Sequence, residues 1–360
     1  MAAVRARVDV SVLVIAVVLA GCVARGGAAS VSVSPTDTRV RQARTAAVAF
    51  LDRYVTPEGR VVRLDQGGDT VSEGQSYGLL LAQVAQRPDL AARIWRWTTR
   101  LARSDGLLSS RTSVDGTVVD PQAATDADLV TAWALQRAGS TSAPPLATAL
   151  LAHTVVRPGG RPLLAAGPWA TGEPATLNPS YWALPAMWSL AGTDPLWKQL
   201  AQSSVAVLEQ LTNHGRRLPA DWVRADGGKL SVAPAPSGAV PQPRYGLDAQ
   251  RIVVWLAAGC DPQGRRLAAT WWPLLRDGDR STADALSLDG AVLERARSPL
   301  PLVAAAAAAA AAGAADDRDR LLDAAAAQDR VHPTYYGSAW VALGRALLQT
   351  TLLGSCGQES

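Results

Sequence analysis

Apolar side chains recur at three- and four-residue steps along almost the whole chain from residue 40 onward. In the first such segment Val40, Ala43, Ala47, Phe50 and Tyr54 follow this spacing, which places them on one face of an amphipathic helix. The pattern therefore predicts an all-α chain of about twelve helices. The segments that follow the first are residues 73–86, 89–103, 126–138, 144–155, 180–191, 195–212, 247–258, 264–275, 299–312, 315–328 and 334–353.

Strand-like sequence is confined to residues 61–64 and 116–119, which are expected to form small strands or loop edges. The number of predicted helices is even, and the sequence shows no parallel-sheet pattern. These two observations favour helical hairpins arranged in a closed ring, with six inner and six outer helices. The pattern alone does not separate this ring from an open solenoid, although a solenoid normally shows a fixed repeat and none is found. The alanine run at residues 304–312 is expected to be a helix that packs closely on its neighbours.

The N-terminus has the features of an export signal. Arg5 and Arg7 precede an apolar run at residues 10–20 that is too short to span a bilayer comfortably. The run ends in Leu-Ala-Gly-Cys at residues 19–22, which resembles a bacterial lipoprotein signal whose cysteine carries lipid. An ordinary secretory signal is the alternative.

These features predict a simple domain organisation. The predicted parts are a lipoprotein signal peptide with lipidated Cys22 (residues 1–22), a flexible tether (23–39), the helical domain (40–353) and a C-terminal tail (354–360). The protein is therefore expected outside the cytoplasm, lipid-anchored to the bacterial cell membrane, or secreted if the lipid signal is not used.

Charge and residue content exclude several other functions. The net charge of +4 is small and the basic residues form no run, so no nucleic-acid partner is expected. The three histidines show no ligand spacing, so neither a metal site nor a cofactor is predicted. In an oxidising compartment Cys260 and Cys356 could pair, or both could remain buried thiols.

Three predicted helices begin with an acidic residue. The stretch VSEGQSYGLLLA at residues 71–82 places Glu73 in a first helical turn, where Ser72 and Gln75 are expected to form a capping box. An acid in this position is most simply explained by the helix dipole, which it complements by about 0.3–1 kcal/mol.

The other two acidic starts follow the same pattern. Thr125 is the predicted N-cap of a helix with Asp126 in its first turn, and Asp248 begins a strongly apolar helix that also carries Arg251. In a ring of hairpins, helix starts of one layer point to one face, so the three carboxylates are expected to converge. An aromatic residue lies near each acid, namely Tyr77, Trp133 and Tyr245.

Paired carboxylates beside aromatic side chains are typical of the active sites of glycoside hydrolases. The twelve Trp and six Tyr, against one Phe, also fit sugar stacking, although core filling is the simpler explanation of any single Trp. At this point the sequence resembles glycoside hydrolase family 8, especially its bacterial cellulase members. The stretches that carry the resemblance, in matching order, are VSEGQSYGLLLA, ATDADLVTAWAL, LNPSYWALPAM, LPADWV and YGLDAQR.

The resemblance implies an (α/α)6 barrel and an inverting endo-β-1,4-glucanase. It implies that Glu73 is the general acid, that Asp248 is the base that activates water, and that Asp126 binds the sugar at the cleaved bond. An inverting enzyme keeps its two carboxyl groups about 6.5–9.5 Å apart. The further substrate-binding residues that we predict are Tyr77, Tyr181, Trp133, Arg251 and Tyr245, of which Arg251 would orient the base.

The sequence departs from the family pattern at two places. Gly337 stands where relatives often have an acid after two tyrosines, and extra residues separate Tyr245 from Asp248. A β-linked polysaccharide or oligosaccharide is the expected partner, and a monomer the expected state. The alternatives are a hydrolase of xylan, chitosan or mixed-linkage glucan, or a non-catalytic glycan-binding envelope lipoprotein.

Overall fold

An outer helix is followed by an inner helix almost throughout the chain. The structure, a computed structural model, describes residue 2, residues 34–295 and residues 297–354. Its helices, in chain order, are α1 (Pro35–Tyr54), α2 (Ser72–Val84), α3 (Pro88–Thr98), α4 (Thr125–Arg137), α5 (Ala143–Thr154), α6 (Leu184–Leu190), α7 (Leu196–Leu211), α8 (Leu247–Ala258), α9 (Pro262–Thr270), α10 (Trp272–Leu275), α11 (Gly278–Ser281), α12 (Leu300–Ala311), α13 (Ala315–Val331) and α14 (Tyr335–Gln349).

Six helices form the inner ring. Contacts run from α2 to α4, then to α6, α8, α12 and α14, and α14 returns to α2. The ring therefore closes, which excludes the open solenoid. The outer helices are α1, α3, α5, α7, α9 and α13, while the short α10 and α11 lie in the connection from α9 to α12. The predicted all-α fold and its (α/α)6 architecture are confirmed.

Inner helices are apolar around most of their circumference, because they touch neighbours on every side. In α12 every alanine from Ala304 to Ala309 is buried, as expected for a helix that packs closely. Its neighbour α14 has a glycine at the contact, since a Cβ on Gly344 would stand only 2.5 Å from Cγ1 of Val303.

The predicted capping box at the start of α2 is wrong. Ser72 is the first helical residue, and the preceding Val71 makes no side-chain cap. The buried side chain of Gln75 bonds instead to the backbone of Val61 and, at 2.9 Å, to Oγ1 of Thr98. Gln75 thus connects α2 to the end of α3 and to the segment that precedes α2.

The predicted N-cap of α4 is also wrong. Thr125 is the first helical residue, and its hydroxyl donates a hydrogen bond of 2.7 Å to the carbonyl oxygen of Ala165. This bond fastens the start of α4 to the loop after α5.

Short strands occupy the connections between helices. They are β1 (Thr70–Val71), β2 (Arg111–Thr112), β3 (Val118–Asp120), β4 (Val155–Val156), β5 (Leu163–Leu164), β6 (Ala175–Leu177), β7 (Trp222–Asp226), β8 (Lys229–Ala233), β9 (Ala283–Leu286) and β10 (Val292–Arg295). All pairings are antiparallel, in the orders β1-β2-β3, β4-β5, β6-β7-β8 and β10-β9.

Few of these strands were predicted from the sequence. Residues 116–119 overlap β3, but in residues 61–64 only Val61 forms a bridge, to Val55. The β6-β7-β8 sheet was not predicted, and it matters for the site. Strand β6 ends just before Asn178, and β7 begins just after Asp221.

The chain divides into Met1–Ser34 and Pro35–Ser360. Helix α1 begins at Pro35, before the predicted start of the domain at residue 40. The predicted lipidation site Cys22 lies outside the described residues, as does Cys356. Cys260 is disulfide-bonded. None of the described helices is both long and apolar enough to cross a membrane.

Candidate active site

One guanidinium group joins the three predicted acids. Nη1 of Arg251 stands 2.9 Å from Oε1 of Glu73 and 3.0 Å from Oδ2 of Asp126, and Nη2 stands 3.0 Å from Oδ1 of Asp248. These acids are separated by up to 175 residues in sequence and come from the first turns of α2, α4 and α8. The predicted convergence of the three carboxylates is confirmed.

Exposure differs among the four side chains. Those of Glu73 and Asp248 are 26% and 34% exposed, whereas those of Asp126 and Arg251 are 8% and 3% exposed. Glu73 and Asp248 can therefore meet a substrate from solvent, while Arg251 lies beneath them. Burial alone would lower the pKa of Arg251, but the surrounding tyrosines and acids raise it, so the guanidinium stays cationic.

Glu73 is held by its own helix. The hydroxyl of Tyr77, one turn later, donates to Oε1 of Glu73 over 2.6 Å, the same oxygen that Arg251 contacts. The next residue must be glycine, because a Cβ on Gly74 would stand 2.5 Å from the hydroxyl oxygen of Tyr335. The helix α14 thus packs directly against the residue after the acid.

Asp126 is the most deeply buried of the three acids. Burial raises its pKa to about 7, the nearby charge of Glu73 adds to this rise, and Arg251 opposes it. Around neutral pH this carboxyl therefore exchanges between its neutral and ionised forms. A buried group of this kind can donate or accept a hydrogen bond at a sugar hydroxyl.

Asp248 receives a donor on each oxygen. Arg251 donates to Oδ1, and Nδ2 of Asn178 donates to Oδ2 over 2.9 Å. Asn178 is itself fixed, since its Oδ1 accepts from the backbone N–H and the hydroxyl of Ser180. The hydroxyl of Ser180 also lies 2.6 Å from Nη2 of Arg251. The two donors hold the Asp248 carboxyl in one orientation while its side chain stays 34% exposed.

Aromatic rings surround this charged centre. The guanidinium carbon of Arg251 lies 5.5 Å from the centre of the Tyr181 ring, a cation–π distance. The Tyr181 ring in turn meets Trp222 edge-on at 6.2 Å. Both rings are partly exposed, so they offer apolar faces beside Asp248 on which a sugar can stack.

Three of the four aromatic residues that were predicted to bind substrate are buried. Tyr77 is 1% exposed and reaches Glu73 only through its hydroxyl. Trp133 is 2% exposed and packs in the core, with the guanidinium carbon of Arg137 5.9 Å from its ring centre. Tyr245 is also 2% exposed, and its backbone bridges to Leu286. The structure therefore corrects these three predictions: Tyr77 positions the acid, and the other two fill the core.

Several residues of the site were not singled out from the sequence. They are Asn178, Ser180, Asp221, Trp222 and Tyr336. Four of them fall in LNPSYWALPAM and LPADWV, which carry part of the family resemblance. The resemblance in those two stretches was therefore a signal from which these four residues could have been selected. The fifth lies in the first turn of α14, where its hydroxyl is 3.5 Å from the carbonyl oxygen of Leu247.

A further aromatic residue stands near the start of α4. Trp169 is 45% exposed, and its indole N–H donates over 3.1 Å to the carbonyl oxygen of Ala123, three residues before Asp126. The flanking Gly167 leaves no room for a side chain, because its Cβ would lie 2.4 Å from the indole nitrogen. The ring is thus held in place with much of its surface open to solvent.

The missing acid at Gly337 has a physical cause in this chain. A Cβ there would lie 2.6 Å from Cδ of Pro299 and 2.8 Å from Oγ1 of Thr334. That hydroxyl caps α14 by accepting from the backbone N–H of Gly337 over 3.1 Å. No side chain, and so no carboxylate, fits at this position without movement of its neighbours.

Two cavities differ in their position relative to the three acids. One, of about 370 Å³, is lined by Asp248, Asp221 and Trp222 together with the loop after β8. A larger groove of about 920 Å³ runs between α1, α13 and α14, and its lining includes none of the three acids. Within the part of the chain that the structure describes, no group of three or more His, Cys, Asp or Glu is arranged to hold a metal ion.

The sequence of this chain is similar to those of known proteins. The family model described as "Glycosyl hydrolases family 8" matches residues 15–269. An endoglucanase of Cellulomonas uda is 31% identical over 244 residues, 63% of this chain and 66% of that protein. A probable endoglucanase of Novacetimonas hansenii is 33% identical over 230 residues, 57% of this chain and 64% of that protein. The matches therefore span slightly less than two thirds of these relatives.

Solved structures extend the likeness to the rest of the ring. The crystal structure of endoglucanase Cel10, a family 8 glycosyl hydrolase from Klebsiella pneumoniae, has 26% identity and a TM-score of 0.68. The superposition covers 83% of this chain and 97% of that one.

Proposed function

The chain belongs to the glycosyl hydrolases of family 8, and from that premise we propose that it hydrolyses internal β-1,4 bonds of a glucan by inversion. The observation that carries the proposal is the contact of Arg251 with Glu73, Asp126 and Asp248 at one place. Two carboxyl groups reachable from solvent, with a buried third acid and aromatic rings beside them, match what glycosidic cleavage requires.

Glu73 serves as the general acid. Both of its described donors, Tyr77 and Arg251, engage Oε1. That arrangement leaves Oε2 without a described hydrogen-bond donor, so we assign the transferred proton to Oε2. The proton passes to the glycosidic oxygen as the bond to the leaving sugar breaks.

Asp248 serves as the general base. Arg251 and Asn178 hold its two oxygens in one orientation. In inversion the carboxylate removes a proton from a water that attacks the anomeric carbon from the opposite face. Room for this water requires the carboxyl groups of Glu73 and Asp248 to stand about 6.5–9.5 Å apart in the working complex.

Asp126 and the exposed rings bind the sugar. The buried carboxyl of Asp126 is placed to bond a hydroxyl of the sugar at the cleaved linkage, and its contact with Arg251 fixes its orientation. Tyr181 and Trp222 offer stacking surfaces next to Asp248. The endoglucanase names of the relatives favour a β-1,4-glucan over xylan, chitosan or mixed-linkage glucan.

The test is hydrolysis of carboxymethylcellulose and cello-oligosaccharides by the purified protein. Glu73→Gln and Asp248→Asn keep the shape of each side chain and should each lower kcat by about 10²- to 10⁴-fold, with cello-oligosaccharide binding retained. Proton NMR of the first product should show the inverted anomer. Glu209→Gln is the matched control, because Glu209 lies on the outer helix α7 and bonds to Gln263. Unchanged turnover in Glu73→Gln would contradict the proposed role.

We also propose that the protein is an extracytoplasmic lipoprotein anchored through Cys22. The Leu-Ala-Gly-Cys stretch after an apolar run supports this, and the disulfide at Cys260 fits an oxidising compartment. If Cys22 carries lipid, Cys356 is the one other cysteine of the sequence, and we propose it as the disulfide partner of Cys260.

Peptide mass spectrometry of the protein from membranes tests both points together. The expected result is a diacylated peptide that begins at Cys22 and a disulfide-linked pair of peptides that contain Cys260 and Cys356. Cys22→Ser should release the protein from the membrane fraction. A disulfide between Cys22 and Cys260 would overturn the lipid anchor while leaving the hydrolase proposal intact.

A further inference from the structure

The helix that carries Asp248 is capped by a side chain from another element. Asp221 lies just before β7, and its Oδ1 accepts hydrogen bonds from the backbone N–H groups of Gly246, at 2.9 Å, and Ala249, at 2.8 Å. Gly246 is the N-cap of α8 and itself provides no side-chain cap. The first turn of α8, in which Asp248 lies, is therefore held by a residue 25 positions away in sequence.

The contact is close enough to require glycine. A Cβ on Gly246 would lie 2.4 Å from Oδ2 of Asp221, although the backbone of Gly246, with φ of −105°, is open to any residue. The nearest obstacle to a side chain at this position is therefore the Asp221 carboxyl, which two backbone N–H groups hold in place, and the next is Nε of Arg244 at 3.1 Å.

Charges of both signs face Asp221. Nε of Arg244 lies 3.5 Å from Oδ2 of Asp221, and Nη1 of the same arginine pairs with Glu294. Asp248, Asp284 and Glu294 line the same cavity of about 370 Å³, and Tyr245 lies close enough to feel the Asp221 charge. Burial raises the pKa of Asp221 to about 7, the charge of Asp248 adds to this, and the two amides and Arg244 oppose it.

We propose that Asp221 is a positioning residue for the base Asp248: it fixes the first turn of α8 and keeps a second negative charge beside that base. The inference rests on the proposed function, in which Asp248 takes a proton from water. A fixed first turn of α8 keeps the Asp248 carboxylate in one orientation, and above about pH 7 the ionised form of Asp221 adds a negative charge beside it. Turnover is therefore expected to change as Asp221 ionises.

The pH dependence of turnover separates this role from a merely structural one. In the wild type, kcat/KM should rise on the acid side with an inflection near pH 7, because the pKa of Asp221 is about 7. Asp221→Asn keeps an oxygen for the two amides but removes the charge, so the inflection should move down by about one pH unit or more. The kcat at the plateau should fall about tenfold or more, with KM changed less than about twofold.

Asp284→Asn is the matched control. Asp284 lines the same cavity and also accepts from two backbone N–H groups, those of Arg297 at 2.7 Å and Ser298 at 3.2 Å, but it does not contact α8 through them. Its substitution should leave the inflection in place. Asp126, whose pKa is also near 7, is present in every variant and contributes equally to each profile.

A double-mutant cycle tests the contact itself. Gly246→Ala should lower kcat about fivefold or more in the wild type but less than about twofold in an Asp221→Ala background, because the obstructing carboxyl is then absent. Circular dichroism and thermal unfolding confirm that each variant is folded.

A readout without substrate keeps the inference independent of the proposed function. In carbon NMR of labelled carboxyl groups, the ionisation of Asp221 near pH 7 should change the chemical shift of the neighbouring Asp248 carboxyl carbon in the wild type. This change should be lost in Asp221→Asn. Superimposable profiles for wild type and Asp221→Asn, in turnover or in the carboxyl titration, would overturn the role of Asp221. The Glu73→Gln comparison tests the hydrolase proposal separately.

Discussion

Two almost fully buried arginines stand on inner helices in opposite kinds of surroundings. Arg251 on α8 contacts three carboxylates. Arg345 on α14 contacts one carboxylate, that of Asp323, which is 61% exposed. Its other partners are neutral: the amide oxygens of Gln42 and Gln349 and the carbonyl oxygen of Leu322.

The difference separates a structural buried charge from a functional one. Around Arg345 neutral acceptors satisfy the guanidinium and the counter-charge stays in water, which keeps the desolvation cost low. Around Arg251 acids outnumber the cation, and one of them, Asp126, is pushed by burial toward its neutral form. The ionised form of the buried Asp126 is unfavourable for the fold, and its place beside Glu73 and Asp248 fits the sugar-binding role proposed for it.

The largest expected effect comes from Arg251→Met. The change leaves three acids without their shared cation, so kcat should fall about 10²- to 10⁴-fold and the unfolding free energy by about 3–5 kcal/mol. The loss of stability should be greater at pH 8 than at pH 5. At pH 5 Asp126, whose pKa is about 7, carries a proton, so the three acids repel each other less. Urea unfolding and carboxymethylcellulose hydrolysis measure both.

Arg345→Met is the matched comparison. It should cost about 1–3 kcal/mol of stability and leave kcat unchanged at temperatures where the protein is folded. Equal losses of activity in the two variants would show that the contrast between the two arginines has no functional meaning.

Asp126→Asn should stabilise the protein while removing activity. The pKa of Asp126 is about 7 when folded and about 3.9 when unfolded, so between these values the folded state binds more protons. The unfolding free energy of the wild type therefore falls as pH rises through this window. At pH 8 the variant should gain on the order of 1–4 kcal/mol relative to wild type, and at pH 4 almost nothing.

The control for this prediction is Asp323→Asn, which removes the carboxylate beside Arg345. Because Asp323 is 61% exposed, its loss should change stability by less than about 1 kcal/mol with little dependence on pH. An Asp126→Asn variant that is less stable than wild type at pH 8 would contradict the assigned direction.

Gly337→Asp places an acid at the start of α14, which has none. Pro299 and Thr334 occupy the space, so the variant should lose about 1–3 kcal/mol through overpacking without a gain in kcat. Gly192→Asp is the control, since nothing lies within 4 Å of a Cβ there. Higher activity in Gly337→Asp would mean that the start of α14 can move to admit a carboxylate.

The smallest expected effect is that of Trp169→Ala. Loss of a partly exposed stacking surface near α4 should raise KM for long cello-oligosaccharides about two- to twelvefold, which corresponds to about 0.5–1.5 kcal/mol, with kcat nearly constant. Trp272 is the comparison residue, because it is also partly exposed but lines a separate surface pocket with Arg276 and Arg280. Identical KM values for the two Trp→Ala variants would remove Trp169 from the substrate path.

The helical part of the fold could be predicted because its cause is local. A three- and four-residue apolar period specifies a helix without knowledge of its neighbours, and the predicted segments match the helices closely. The convergence of Glu73, Asp126 and Asp248 followed from one further step, since inner helices of a closed ring begin on the same face. The family resemblance then gave each acid its expected role.

Side chains that act on distant elements could not be assigned in this way. Gln75 was expected to cap its own helix, but it is buried and bonds to Thr98. The start of α8 is capped by Asp221 rather than by its own residues. Trp133 and Tyr245 lie near acids in sequence yet fill the core. Strands β6 and β7 are only three and five residues long, too short for alternation to be visible.

Helix α14 joins the end of the ring to its beginning. It packs against α1 and α2, and its first residues, Tyr335 and Tyr336, contact Gly74 and the backbone of Leu247. During synthesis these partners precede α14 in the chain. The residues of α14 that border Glu73 and Leu247 are therefore synthesised after both of these partners, and this side of the site closes only when α14 docks against α2 and α12.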